Sequence, residues 1–188
     1  MKYRCLVIDP PWDQGKMGKR SKDPDTYSSD LDYRTMAQHD LLNLPVDEWA
    51  DENCWMWLWV TMSRSQSSKR PILQQGLDLM ESWGFRYYTM ITWDKRNGPV
   101  PFGPYQISTE HVLFGFRGKA DFPKESLGKM QTCFHAPPRE HSRKPDIFYE
   151  NIARYFPGPR LDVFARRIHP GFDGWGDEYE GLDYDPFV

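Results

Sequence analysis

The chain of 188 residues has room for one domain with a sizeable core, and its net charge of -3 excludes a protein that holds nucleic acid by bulk charge alone, leaving only local basic patches for that purpose. The three cysteines, Cys5, Cys54 and Cys133, are odd in number and widely spaced, which suits a reducing, cytoplasmic setting and not a disulfide framework. No apolar run reaches the ~18 residues of a membrane span, and the N-terminus lacks a signal-peptide pattern, so no membrane association is expected.

The first apolar run, residues 5–8, reads as a buried strand. Asp9-Pro10-Pro11-Trp12 stands where it ends. A residue before proline is pushed into an extended conformation, and proline loses its N–H but keeps its C=O. The tetrapeptide is therefore a stiff corner that presents the Asp9 carboxylate and the Pro10 carbonyl, two acceptors, beside the indole of Trp12. Such a corner suits a planar ring with an exocyclic NH2 group, because two acceptors can hold the two amino hydrogens while the nitrogen attacks an electrophile. The alternative is a strand end followed by a proline-rich turn, and the tetrapeptide alone does not separate the two.

Residues 13–32 are polar, carry Gly15 and Gly18, and read as a mobile loop beside this corner, either a lid or a plain surface loop. A helix is expected over 36–44 with Thr35 as its N-cap, and a further helical turn over 46–51. Residues 54–61 are apolar on both faces, as a central strand between helical layers would be. Pro71 opens a helix that runs to Trp83 and closes at Gly84. A strand at 85–93, a loop at 95–108 with three prolines, and a strand at 111–116 follow; the length of that loop suggests a function. Residues 118–129 are irregular. A helix over 145–156 is stopped by Pro157-Gly158-Pro159, and 161–165 is the last apolar strand. Strands alternating with helices favour a three-layer α/β sandwich with a largely parallel sheet, formed here by one domain over 1–188. Ligands of such sheets sit at the carboxyl ends of the strands, where Asp9 and Arg166 fall.

A second constellation lies in His141-Ser142-Arg143-Lys144-Pro145-Asp146. Pro145 suits a first helical position and Asp146 the positive end of the helix dipole, whereas Lys144 is disfavoured there unless an anion accompanies it. Lysine with free helix N–H groups makes a carboxylate or phosphate site; a solvated lysine pointing away is the alternative. Cys133-x-His135 with His141 fits no structural-zinc spacing, so no metal is expected. No glycine-rich phosphate loop and no nucleophile elbow is present.

With both constellations in hand, the sequence resembles the DPPW-type adenine-N6 methyltransferases, prokaryotic and phage relatives of the catalytic subunit of the mRNA adenosine methyltransferase. The likeness runs in order through Asp9-Pro10-Pro11-Trp12, Tyr33-Arg34-Thr35-Met36, Leu58-Trp59-Val60-Thr61, Trp83-Gly84-Phe85, Thr92-Trp93-Asp94-Lys95 and Glu110-His111-Val112-Leu113-Phe114-Gly115. It continues through His141 to Asp146, Pro157 to Arg160, Asp162 to Arg166 and Trp175-Gly176-Asp177-Glu178. The resemblance implies a Rossmann-like fold in permuted order, with the catalytic motif first. It also implies S-adenosyl-L-methionine (SAM) as methyl donor, without a metal, and adenine in nucleic acid as acceptor, DNA before RNA.

Carried over by position, Asp9, Pro10, Pro11 and Trp12 form the catalytic corner. Asp9, Lys144, Arg166, His169, Asp177 and Glu178 match cofactor positions, and Tyr33, Lys95 and Glu110 match positions near the target adenine. Asp177 stands where the family usually has Asn. A non-catalytic partner subunit is the alternative, and the intact tetrad argues against it. The implied setting is the cytoplasm of a bacterial or phage-infected cell. The basic residues Lys16, Lys19, Arg20 and Lys22, then Lys95 and Arg96, then Arg139 and Arg143, should rim the site. With so few cations, tight binding is expected to need a second copy or a separate specificity partner.

Overall fold

A computed structural model describes residues 1–14, 35–96, 100–102, 104–119, 121–138 and 143–176. Its organising element is β2 (Ala50–Val60), the middle strand of a seven-stranded sheet. Alternation of side chains along a strand sends successive residues to opposite faces. Here it sends Cys54, Met56, Leu58 and Val60 into one core and Trp55, Trp57 and Trp59 into the other. The neighbouring β1 (Tyr3–Ile8) divides likewise, Leu6 and Ile8 to the first core and Cys5 and Val7 to the second.

Two helices cover these faces. In α3 (Ile72–Ser82), Ile72, Leu79 and Met80 pack on the first face. It ends as the glycine predicts: Gly84 has φ +75°, its N–H reaches the Glu81 carbonyl, and the Phe85 N–H reaches that of Met80. On the second face, α4 (Asp146–Tyr155) buries Phe148, Tyr149 and Ile152. The α/β architecture with a helical layer on either side of the sheet is therefore as expected.

The sheet order is β7-β3-β6-β2-β1-β8-β9, with β3 at Arg86–Asp94, β6 at Thr109–Arg117, β7 at Cys133–His135, β8 at Arg160–Val163 and β9 at Asp173–Trp175. All of these strands run the same way except β6, which is antiparallel to β2 and β3. Its reversal matters for function: the start of β6 lies at the edge where the other strands end. Between β3 and β6, the segment expected as plain loop contains a small hairpin of β4 (Val100–Phe102) and β5 (Tyr105–Ile107). Closure at its base, with the Lys95 N–H on the Ser108 carbonyl at 2.9 Å, continues the β3–β6 ladder into it.

Local boundaries differ from the sequence expectation in several places. The first helix, α1 (Gln38–Leu42), is shorter than expected. Thr35 does not cap it; the cap position is Ala37, whose N–H is accepted by the Asp40 carboxylate at 3.2 Å. The second, α2 (Val46–Trp49), stops at Trp49 because Ala50 already pairs in the sheet. Pro145 is the cap of α4, and Asp146 is its first helical residue. Neither β7 nor β9 was foreseen. Each has three residues, too few to show a two-residue period.

Candidate active site

At the end of β1 the chain leaves the sheet between β2 and β8, where the strand connections diverge to either side. The Asp9 N–H donates to the Val163 carbonyl at 3.3 Å, tying the corner to β8. The Pro10 carbonyl accepts the Trp12 N–H at 2.8 Å, which uses one of its two lone pairs and leaves the other. The Pro11 carbonyl accepts the Met36 N–H at 2.8 Å. Asp13 then locks the outgoing chain: its carboxylate accepts from the Ser65 hydroxyl and the Ser67 N–H, both at 2.9 Å, and from the Ser67 hydroxyl.

Trp12 departs from expectation. Its ring is 3% exposed and its indole N–H donates to the Trp59 carbonyl at 2.9 Å. The ring therefore anchors the corner in the core and presents no open face to a ligand.

Charge accumulates at this edge because the reversed β6 brings Glu110 to the ends of β1 and β3. The Lys144 ammonium, with its side chain 10% exposed, lies 2.9 Å from the Asp9 carboxylate and 3.2 Å from that of Glu110. It also sits 5.0 Å from the Trp59 ring centroid, within cation–π range. Lys95 pairs with the other Glu110 oxygen. The result is a chain of alternating charge, Asp9–Lys144–Glu110–Lys95.

Burial pushes the Asp9 carboxyl up, and Lys144 opposes that shift. Burial acts on Glu110 too, but Lys144 and Lys95 outweigh it and hold that carboxyl below its ordinary value. Burial works against the charge of Lys144, yet Asp9 and Glu110 hold its ammonium above the usual lysine range. Lys144 is thus not a solvated lysine pointing away. Its anionic partners in this structure are protein carboxylates.

On the β8 side, Asp9 shares a pocket with Arg143, Asp162, Arg166 and His169. His169 stacks on Tyr149 with centroids 3.5 Å apart and planes 7° from parallel, and its Nε2 is 3.8 Å from Asp162. Burial lowers its pKa to about 4, so the ring is neutral at pH 7. The Tyr149 hydroxyl donates to Asp162 at 3.4 Å. Burial, reinforced by the charge of Asp9, raises the Asp162 carboxyl well above its ordinary value.

The turn leaving β8 is tight. Phe164 has φ +65°, and a side chain at Gly176 would sit 3.0 Å from the Phe164 Cα. Asp162 and Tyr149 were not singled out as site residues, and Arg143 was expected only as a rim cation. A lone acid inside the apolar strand Leu161-Asp162-Val163 was the signal, since an acid is rarely buried without a reason.

Two expectations about the rim change. Lys95 is committed to Glu110, and one guanidinium nitrogen of Arg143 is held by both Asp146 oxygens at 3.0 Å, which turns Arg143 toward the pocket at Asp9 instead of the rim. Tyr33, Asp177, Glu178, all but the first two residues of the mobile loop expected over 13–32, its four cations, Arg139 and His141 lie outside the described residues.

The donor set suits SAM. A zwitterionic amino acid, a sulfonium and a ribose diol need cations, carboxylates and a flat neutral ring in one pocket, and Arg143, Arg166, Asp9, Asp162 and His169 provide them. Among the described residues the buried Nε of Arg143 has no hydrogen-bond partner, so a donor remains available there.

A family model for MT-A70 matches residues 3–178. The chain belongs to the MT-A70 family. Its members are SAM-dependent methyltransferases, and the seven-stranded α/β sheet agrees with their Rossmann-like fold. This MT-A70 chain is 31% identical to the type II methyltransferase M.MunI of a Mycoplasma species, over 94% of itself and 78% of that protein. It is 27% identical to human METTL4, named an N(6)-adenine-specific methyltransferase, over 97% of itself and 39% of that protein. Over 62% of its length it is 29% identical to the Arabidopsis thaliana N6-adenosine-methyltransferase non-catalytic subunit MTB, of which it covers 14%. The chain thus spans most of the bacterial relative and a minor part of the other two. No helix among the described residues is long and apolar enough to cross a membrane.

Proposed function

We propose that this chain methylates the exocyclic N6 amino group of adenine in DNA, with SAM as donor, and that the target base is flipped out or already single-stranded when it reacts. The observation that carries the reading is the Asp9 carboxylate, half-buried at the end of β1 against Lys144, beside a Pro10 carbonyl with an unused lone pair. These two acceptors take the two amino hydrogens and aim the nitrogen. Lys144, at 2.9 Å, favours the ionised, purely accepting form of Asp9 against the pull of burial. Bound SAM supplies an electrophilic methyl group on a sulfonium sulfur.

Arg143, Arg166, Asp162 and His169 hold the donor on the β8 side, joined by Asp177 and Glu178 as the family likeness implies. Glu110 and Tyr33 are assigned to the adenine side, as the family likeness implies. Pro11 and Trp12 keep the corner rigid; their anchors are the Met36 N–H and the Trp59 carbonyl. A proton leaves the amino nitrogen readily once it is alkylated, so no strong base is assigned. Similarity to M.MunI over most of both chains supports DNA over RNA. A second copy or a specificity partner supplements the binding of a chain whose net charge is -3.

The test is methyl transfer from labelled SAM to adenine-containing duplex DNA, single-stranded DNA and RNA, with nucleoside analysis by mass spectrometry. N6-methyladenine in DNA, absent with Asp9→Asn, is the expected result. Methylation of RNA alone would replace DNA as substrate, and no transfer to any of the three would overturn the reading.

A further inference from the structure

Separate from the pocket at Asp9, a cavity of about 190 Å³ opens between α4, β7 and the segment before β7. Its floor is apolar: Ile91 and Phe148 are buried, and Phe134 lies near-parallel to Phe148, with planes 20° apart. Met130 closes one side. The amides of Gln131 and Asn151 stand at its margin, and among the described residues neither has a hydrogen-bond partner. Lys129 is exposed at the mouth. The volume falls below the ~300–1,000 Å³ usual for drug-sized ligands, so it suits one planar ring and not a whole cofactor.

The lining selects the chemistry. Aromatic and thioether walls take the face of a heteroaromatic ring. Asn and Gln amides pair with the donor and acceptor edge of a base. A lysine at the mouth suits the attached phosphate.

The cavity is also wired to the active site. Phe148 meets Trp59 edge-on at 4.9 Å, and Trp59 is the ring beneath Lys144. The geometry points to a second nucleotide subsite, in which this cavity receives the base of a nucleotide next to the target adenine and Gln131 and Asn151 read its edge. The inference rests on the nucleic-acid reading given above. A free mononucleotide has the same chemistry and is the other source of occupant.

The double variant Gln131→Ala/Asn151→Ala tests it, since both side chains lie at the surface of the cavity and outside the machinery for methyl transfer. Asn151→Trp fills the space from the helix side. Measurements are oligonucleotide affinity, methylation rates on oligonucleotides randomised around one adenine, binding of mononucleotides, and SAM affinity. Expected for both variants is an oligonucleotide Kd weakened by at least about tenfold, the scale of a lost base contact. Preference at one flanking position should flatten while SAM binding is unchanged. Mononucleotide binding by the wild type that both variants lose, with oligonucleotide affinity unaltered, supports the subsite and makes the free nucleotide its occupant. Unchanged affinity, unchanged flanking preference and no mononucleotide binding overturn it. Because the wild type's own methylation of adenine is read in the same assay, that outcome leaves the main activity standing or falling separately.

Discussion

The Lys144 ammonium lies 2.9 Å from the Asp9 carboxylate and holds it from the far end of the chain. Both groups are shielded, and Lys144 also serves Glu110 at 3.2 Å. Lys144→Met would leave two half-buried carboxylates without their shared cation, and the loss of stability should stay below the about 3–5 kcal/mol of breaking a fully buried pair. The sign of the pH effect follows. In the variant the Asp9 carboxyl is raised further above its unfolded value, so the deficit is largest at neutral pH and shrinks as pH falls and the carboxyl takes up a proton. Urea denaturation at pH 7.5 and 5 checks this, and equal midpoints for variant and wild type at both would disprove the buried network.

Asp9→Asn preserves shape but turns one acceptor into an NH2 donor facing the substrate amine. Single-turnover methyl transfer should fall by at least ~10²-fold, the scale for one preorganised electrostatic group. A near-normal rate would remove Asp9 from the reaction.

Asp162 titrates in the direction opposite to most carboxylates. Burial and the nearby charge of Asp9 raise it, so the fold keeps a proton that the unfolded chain releases above ~3.9. Each pH unit climbed between that value and the folded pKa therefore costs stability, by up to about 1.4 kcal/mol. Asp162→Asn abolishes this titration and keeps an acceptor for the Tyr149 hydroxyl. The variant should gain in Tm over wild type at pH 8 and converge with it near pH 4; a gap that does not change with pH would mean that Asp162 is ionised in the fold.

Gly176→Ala would place a methyl group 3.0 Å from the Phe164 Cα and 3.1 Å from the Ala165 backbone. Overpacking of this kind costs about 1–3 kcal/mol. Because the displaced turn leads into Arg166, SAM affinity by calorimetry should fall along with stability. Retained affinity in a destabilised variant would detach the turn from cofactor binding.

Much of the frame was legible locally. Runs apolar on both faces marked β1 and β2 as interior strands, and Pro71 and Gly84 bracketed α3 because each acts through its own backbone geometry. The position of Asp9-Pro10-Pro11-Trp12 at a strand end was equally local, since it needs only a strand and two prolines after it. What required the tertiary structure was pairing across the chain. No spacing announces that the reversed β6 delivers Glu110 to Lys144, that Lys95 is spent on Glu110, or that the Trp12 ring turns inward to the Trp59 carbonyl. The strands β7 and β9 exist only because a neighbouring edge offers hydrogen bonds to three residues apiece. Charge states belong to the same class: Asp162 and Lys144 titrate as their burial and neighbours dictate, and both are properties of the folded interior, which a linear pattern of residues does not contain.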